Sequence, residues 1–175
     1  MSNPSTSTPA LPIAHTALRI LIIGNWLYAA VLVVLLVFMP NERWIMAAFK
    51  LHPSPDTDRL ILGLRAIVLI GLASVPVHYV VLTRLLAIVE TVRASDPFNA
   101  ANAHHLQWIG WALVAQQFLS LTVGAIVKAV STAQHPLHIE AGFSINGWLA
   151  VLLTFVLARV FLEGARMRDD LAGTV

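Results

Sequence analysis

The sequence predicts an all-α integral membrane protein: a four-helix bundle whose helices 2, 3 and 4 extend into the cytoplasm. Two observations predict this class. The 175 residues are 58% hydrophobic and only 11% charged, against roughly 45–50% apolar and about 25% charged residues in soluble domains. Four long apolar runs also follow one another along the chain, and each has the length that a membrane-spanning helix needs.

The first run is preceded by a polar leader. Residues 1–17 are rich in Ser, Thr and Pro and predict a disordered N-terminal tail. Residues 20–39 contain Asn25 as their one outright polar side chain, and a helix of this length rises about 30 Å, the thickness of the hydrocarbon layer. The run is too long for the apolar core of a signal peptide, so we expect it to be retained.

Three further spans are predicted over residues 60–82, 108–130 and 145–162, within one domain covering residues 18–175. The second run stays apolar as far as Val92, longer than a bilayer requires. The fourth is followed by the polar helical sequence "EGARMRDDL". Both helices are therefore expected to project into water at these ends.

The stretch "ETVRASDPFNAANAHHLQWIGW", residues 90–111, joins the second span to the third. "SDPF" is expected to end helix 2, with Ser95 or Asp96 capping the next helix and Pro97 at its first position. The third helix would then begin roughly 15 Å before Trp108. This arrangement predicts a polar helical hairpin outside the membrane.

The distribution of basic residues predicts the orientation. Six lie on the side of the two termini and the hairpin: Arg19, Arg84, Arg93, Arg159, Arg166 and Arg168. Four lie on the opposite side: Arg43, Lys50, Arg59 and Lys128. The excess favours cytoplasmic N- and C-termini. The net charge is only +2 and the basic residues are scattered, so no direct nucleic-acid binding is expected.

Several motifs resemble a known family. They are "ETVR" and "DPF" near residues 90–98, then Asn102, Ala103, Leu106, Ile109, Gly110 and Trp111, and the terminal "GARMRDDLAGTV". Over about residues 60–175 the chain resembles the bacterial family of small membrane proteins called domain of unknown function 2975. Ser95, His105 and Ala172 stand where Gly, Arg and Glu are common. The resemblance implies a four-helix inner-membrane protein whose gene often neighbours a small helix-turn-helix regulator, with no established reaction.

A polar cytoplasmic cluster is expected where helices 2 and 4 leave the membrane. Three interpretations stay open: a network that only joins the helix ends, a docking surface for a cytosolic partner, and catalytic paired carboxylates. The last is disfavoured because neighbouring arginines keep carboxylates ionised. The candidate docking residues are Glu90, Arg93, Asp96, Asn102, Arg166, Arg168, Asp169 and Asp170.

Polar residues also occur inside the spans: Asn25, Arg65, His78, Gln116 and Gln117. Asn25 and the two glutamines are interpreted as interhelical hydrogen-bond partners. Arg65 can extend towards the membrane surface or pair with an acidic loop residue. His78 could be a haem ligand or a proton relay, but no second histidine lies at a similar depth. A histidine bonded to a glutamine or a carbonyl is therefore favoured.

The outer loops contain the weak metal candidates His135, His138 and Glu140, since zinc or copper needs three or four converging ligands. Neither a metal site nor a cofactor is predicted. With no cysteine and no recognisable catalytic motif, an enzyme is not expected, apart from the haem- or metal-dependent exceptions.

Two functions are carried forward. The first is a regulatory membrane protein that docks a small helix-turn-helix regulator. The second is a factor for small-solute transport or peptide resistance, in which Arg65, His78 and the glutamines line a cavity. The bilayer is the expected surrounding, and homo-oligomerisation is left open.

Overall fold

A computed structural model describes residues 10–38, 46, 55–94, 99–131 and 139–172. Within these ranges the chain forms four long helices: α1 (Ala10–Phe38), α2 (Pro55–Arg93), α3 (Ala100–Val130) and α4 (Ile145–Ala172). Each is long and apolar enough to cross a membrane. The prediction of an all-α chain with four helices of membrane-spanning length and composition is thus confirmed.

Helix α1 begins at Ala10, inside the tail predicted over residues 1–17. Pro12 does not prevent this, because the first N–H groups of a helix have no intrahelical partner and proline lacks only such a donor. The hydroxyl of Thr16 donates to the carbonyl of Pro12 over 3.0 Å within this turn. The tail prediction is therefore wrong for residues 10–17, and residues 1–9 lie outside the described residues.

Helix α3 begins three residues later than predicted, at Ala100, with Asn99 as its N-cap. The side-chain oxygen of Asn99 accepts from the backbone N–H of Asn102 over 2.8 Å, which satisfies one of the free donors at the helix start. The expectation that Ser95 or Asp96 caps this helix with Pro97 at its first position is therefore wrong.

The helices pack in chain order. Among the described residues, extensive contacts join α1 to α2, α2 to α3 and α3 to α4. Contacts between Gly110 and Phe155 and between Gln117 and Gly147 show that α3 and α4 run antiparallel. His15 lies beside Glu90, so α1 and α2 are antiparallel as well. The start of α1, the end of α2, the start of α3 and the end of α4 therefore meet at one end, here called the polar end.

Small residues allow these close contacts. A Cβ atom on Gly110 would lie 2.9 Å from the Phe155 ring, so this ring would have to shift if a larger residue stood there. Ala158 and Ala165 of α4 are only 2% and 3% exposed. Large apolar side chains such as Trp26 and Phe118 instead point outward and are each 59% exposed. Apolar surface on this scale needs a lipid surrounding, and the chain is a multi-pass membrane protein.

Candidate functional site

Asn102 is the most completely buried polar side chain at the polar end, with 0% exposure. Its Nδ2 donates to Thr91 Oγ1 of α2 over 2.7 Å. The Thr91 hydroxyl lies 2.8 Å from the Ile88 carbonyl oxygen, to which it can donate. This pair connects the last turn of α2 to the first turn of α3. Asn102 was predicted in the docking surface, but its burial gives it a structural role and removes it from that surface.

Glu90 and Arg93 are both exposed on the last turns of α2. Glu90 Oε1 lies 3.6 Å from His15 Nε2 of α1, a contact that becomes an ion pair when the histidine is protonated. The sequence predicted that Glu90 would meet charged residues of α4. The structure places it against α1 instead, because consecutive helices provide the extensive contacts. Asp96 lies outside the described residues.

The end of α4 presents charged side chains to solvent. Arg166 Nη1 lies 3.4 Å from Glu163 Oε2, one turn earlier on the same helix, and both side chains are more than half exposed. Arg168 and Asp170 are exposed too, while the side chain of Asp169 is outside the description. Ala165, between these charged residues in the sequence, is buried. The last two turns of α4 therefore form an outward-facing surface of mixed charge.

A basic and aromatic cluster lies where α2 and α3 approach the polar end. Arg84 Nη1 is 3.4 Å from His105 Nδ1, and the guanidinium carbon is 5.9 Å from the centre of the Trp108 ring. The Trp108 indole N–H donates to His104 Nε2 over 2.9 Å. The adjacent histidines thus have different partners, as their roughly 100° separation on a helix predicts.

The sequence analysis counted Arg84 only among the basic residues that predict the membrane orientation, and it did not predict the contacts of this side chain. The signal lay in the antiparallel hairpin, which brings the end of α2 beside the start of α3. The hairpin predicts which residues contact each other only when the register of the two helices is known.

Polar residues within the spans differ in their roles. Asn25 is 8% exposed and its Nδ2 donates to the Val75 carbonyl over 3.2 Å, so the predicted interhelical hydrogen bond is confirmed. Gln117 is buried and packs against Gly147. Gln116 has a buried Oε1 that accepts no hydrogen bond from any residue that the structure describes. Arg65 is half-buried on α2, about 15 Å from its start.

His78 and Gln116 line one cavity of about 310 Å³ between α1, α2 and α3, together with Tyr28, Ser74 and Ser120. The predicted hydrogen bond of His78 to a glutamine or a backbone carbonyl is not present among the described residues. Ser120 Oγ instead lies 3.2 Å from the carbonyl oxygen of Gly142. The segment before α4 thus packs across this cavity, an arrangement that the apolar pattern could not reveal.

The predicted metal candidates are not brought together in the part of the chain that the structure describes. Glu140 is exposed, whereas His135 and His138 lie outside the described residues. Among the residues that are described, no group of three or more His, Cys, Asp or Glu side chains could hold a metal ion.

Comparison with known proteins gives one family. A family model described as "Protein of unknown function (DUF2975)" matches residues 4–175, which is more of the chain than the motifs alone indicated. No curated protein and no solved structure matches the chain.

Proposed function

The chain belongs to the DUF2975 family, whose description assigns no activity, and we propose from its own residues that it is a regulatory membrane protein of the bacterial inner membrane. In this proposal its polar end lies in the cytoplasm and docks a small helix-turn-helix regulator. The proposal assigns no reaction and no cofactor to the chain.

One observation carries the proposal: Met167 is 59% exposed between the exposed residues Arg166 and Arg168. An apolar side chain at the centre of a charged surface resembles a protein interface, where an apolar anchor is surrounded by polar residues. Methionine is also common at surfaces that accommodate partners, because its side chain is flexible and polarisable. Mixed charges around it would set the orientation of a partner.

Helix length supports access to this surface. Helix α4 has 28 residues and is about 42 Å long, against about 30 Å for the hydrocarbon layer. Its first turns are apolar and its last turns are charged, so the excess length belongs at the polar end. The greater number of Lys and Arg residues on this side supports a cytoplasmic location.

The choice of partner depends on the gene neighbourhood that the family resemblance implies, which is an argument by analogy. A small DNA-binding regulator carries a basic surface. The end of α4 offers charges of both signs for such a contact: the acids Glu163 and Asp170 and the bases Arg166 and Arg168.

The proposal is tested by co-purification. The full chain would be extracted in detergent together with the small helix-turn-helix protein that the family resemblance leads us to expect beside its gene. We expect the wild-type chain to retain that protein and Met167→Asp to lose it. Lys128→Glu, an exposed change near the far end of α3, is the matched control and should leave retention unchanged. Equal retention by Met167→Asp and the control would overturn the proposal.

A second function, small-solute transport or peptide resistance, is favoured by the buried Oε1 of Gln116, which has no hydrogen-bond donor within the described ranges. Gln116 and His78 line the same cavity. A buried acceptor without a donor is costly, and a small polar solute could supply the missing hydrogen bond. Under this alternative, His78→Leu changes solute uptake or toxin tolerance, whereas Met167→Asp does not.

A further inference from the structure

An apolar groove of about 280 Å³ runs along the outer surface between α2 and α3. It is lined by Pro76, Val77 and Val80 of α2 and by Trp108, Trp111 and Ala112 of α3. Trp111 is 64% exposed and Trp108 is 47% exposed. The groove is therefore open to the surroundings along its length.

A cation lies at the end of this groove. Val77, Val80 and Arg84 are three and four residues apart and so share one face of α2, while His105, Trp108 and Ala112 share one face of α3 by the same spacing. Because the helices are antiparallel, Arg84 reaches His105 and Trp108 just beyond Val80. Trp108 belongs both to the groove wall and to the cation's surroundings.

The charge of Arg84 is not matched by an acid. A guanidinium stays protonated in proteins, and in the part of the chain that the structure describes no carboxylate forms an ion pair with Arg84. The guanidinium of Arg84 instead contacts the imidazole nitrogen of His105 and the indole face of Trp108. A half-buried cation near a membrane surface is expected to acquire an anionic partner.

We propose that this groove binds one anionic phospholipid, with the phosphate against Arg84 and His105 and an acyl chain along Val80, Trp108 and Trp111. The apolar walls suit an acyl chain, and arginine forms strong charge-assisted hydrogen bonds with phosphate oxygens. The inference concerns a lateral surface of α2 and α3. It is independent of the docking proposed for the end of α4.

The test uses the purified full chain in detergent, with native mass spectrometry to count bound lipid. Phosphatidylglycerol and phosphatidylcholine with identical acyl chains are the two probes. We expect phosphatidylglycerol to bind roughly tenfold more tightly. Both lipids carry the phosphate, but only phosphatidylcholine carries a trimethylammonium cation, which the nearby guanidinium of Arg84 repels. Equal binding of the two lipids by the wild-type chain would overturn the proposal.

Arg84→Gln should abolish this preference. Arg19→Gln is the matched control, because Arg19 is an exposed arginine of α1 at a similar distance from the polar end. His15 and Glu90 contact each other at the polar end. Measured along its own helix, Arg19 lies about 6 Å from His15 and Arg84 lies about 9 Å from Glu90. Equal loss of preference in both variants would show general electrostatic attraction and contradict the proposal.

A second variant tests the groove without changing any charge. Val80→Trp fills the space between the helices and should displace the acyl chain, so that binding of both lipids falls. Leu62→Trp places the same side chain at an exposed position (67%) far from the groove and should leave lipid binding as in the wild-type chain. Unchanged binding in Val80→Trp would contradict the assigned acyl-chain position.

Discussion

Asn102 donates its side-chain Nδ2 to the hydroxyl of Thr91 over 2.7 Å, across the corner between α3 and α2. The backbone N–H of the same asparagine donates to the side chain of Asn99. The backbone and the side-chain amide of Asn102 therefore each donate a hydrogen bond. A fully buried polar side chain is tolerated only when its hydrogen bonds are made. The corner thus has a defined geometry that depends on this one residue.

Replacement of Asn102 by leucine is expected to destabilise the chain by about 1–3 kcal/mol, because the Thr91 hydroxyl loses a buried partner. Thermal unfolding of the detergent-solubilised protein measures this change. Gln107→Leu is the control, since Gln107 is an exposed amide on the same helix. Equal stability of the two variants would show that the Thr91–Asn102 pair does not hold the corner.

Gly124→Ala is expected to weaken the packing of the segment before α4 on α3, because the added methyl group would lie 2.7 Å from the backbone carbonyl oxygen of Ala141, which cannot move aside as a flexible side chain can. Overpacking of this kind costs about 1–3 kcal/mol. Gly24→Ala in α1 is the control: its Cβ atom would meet nothing within 4 Å, so it should be neutral or stabilising. The comparison is made by thermal unfolding, and a stabilising effect at both positions would contradict the tight interface.

The orientation can be tested with engineered thiols, because the chain has no native cysteine. Ala101→Cys lies on the polar end, and Phe143→Cys lies at the opposite end at a residue that is 70% exposed. In intact cells, an impermeant maleimide should label the second variant alone. Labelling of Ala101→Cys instead would place the polar end outside the cytoplasm and remove the basis of the docking proposal.

The four spans could be predicted because a 30 Å apolar layer imposes a length on any crossing helix. Helix ends were less predictable. Asn99 and Ser95 are both good N-caps, and the local sequence did not decide between them. The start of α1 at Ala10 was hidden because Pro12 suggests an irregular chain, although proline is compatible with a first turn.

Contacts between helices could be predicted only in part. Asn25 was correctly expected to bond across an interface, since a polar side chain in lipid seeks a partner. The partners of Glu90 and Arg84 were missed because they depend on which helices are neighbours and in what register. The pattern of apolar residues determines that each helix is buried in lipid, but it does not determine the order in which the helices pack.

That packing order bears on biosynthesis. Since α1 contacts α2, α2 contacts α3 and α3 contacts α4 extensively, each newly inserted segment finds its main neighbour already in the bilayer. Among the four described helices, none depends mainly on a distant later one, and contacts that are local in sequence form fastest. Assembly can therefore proceed stepwise from the N-terminus, one hairpin at a time, as the ribosome delivers the chain.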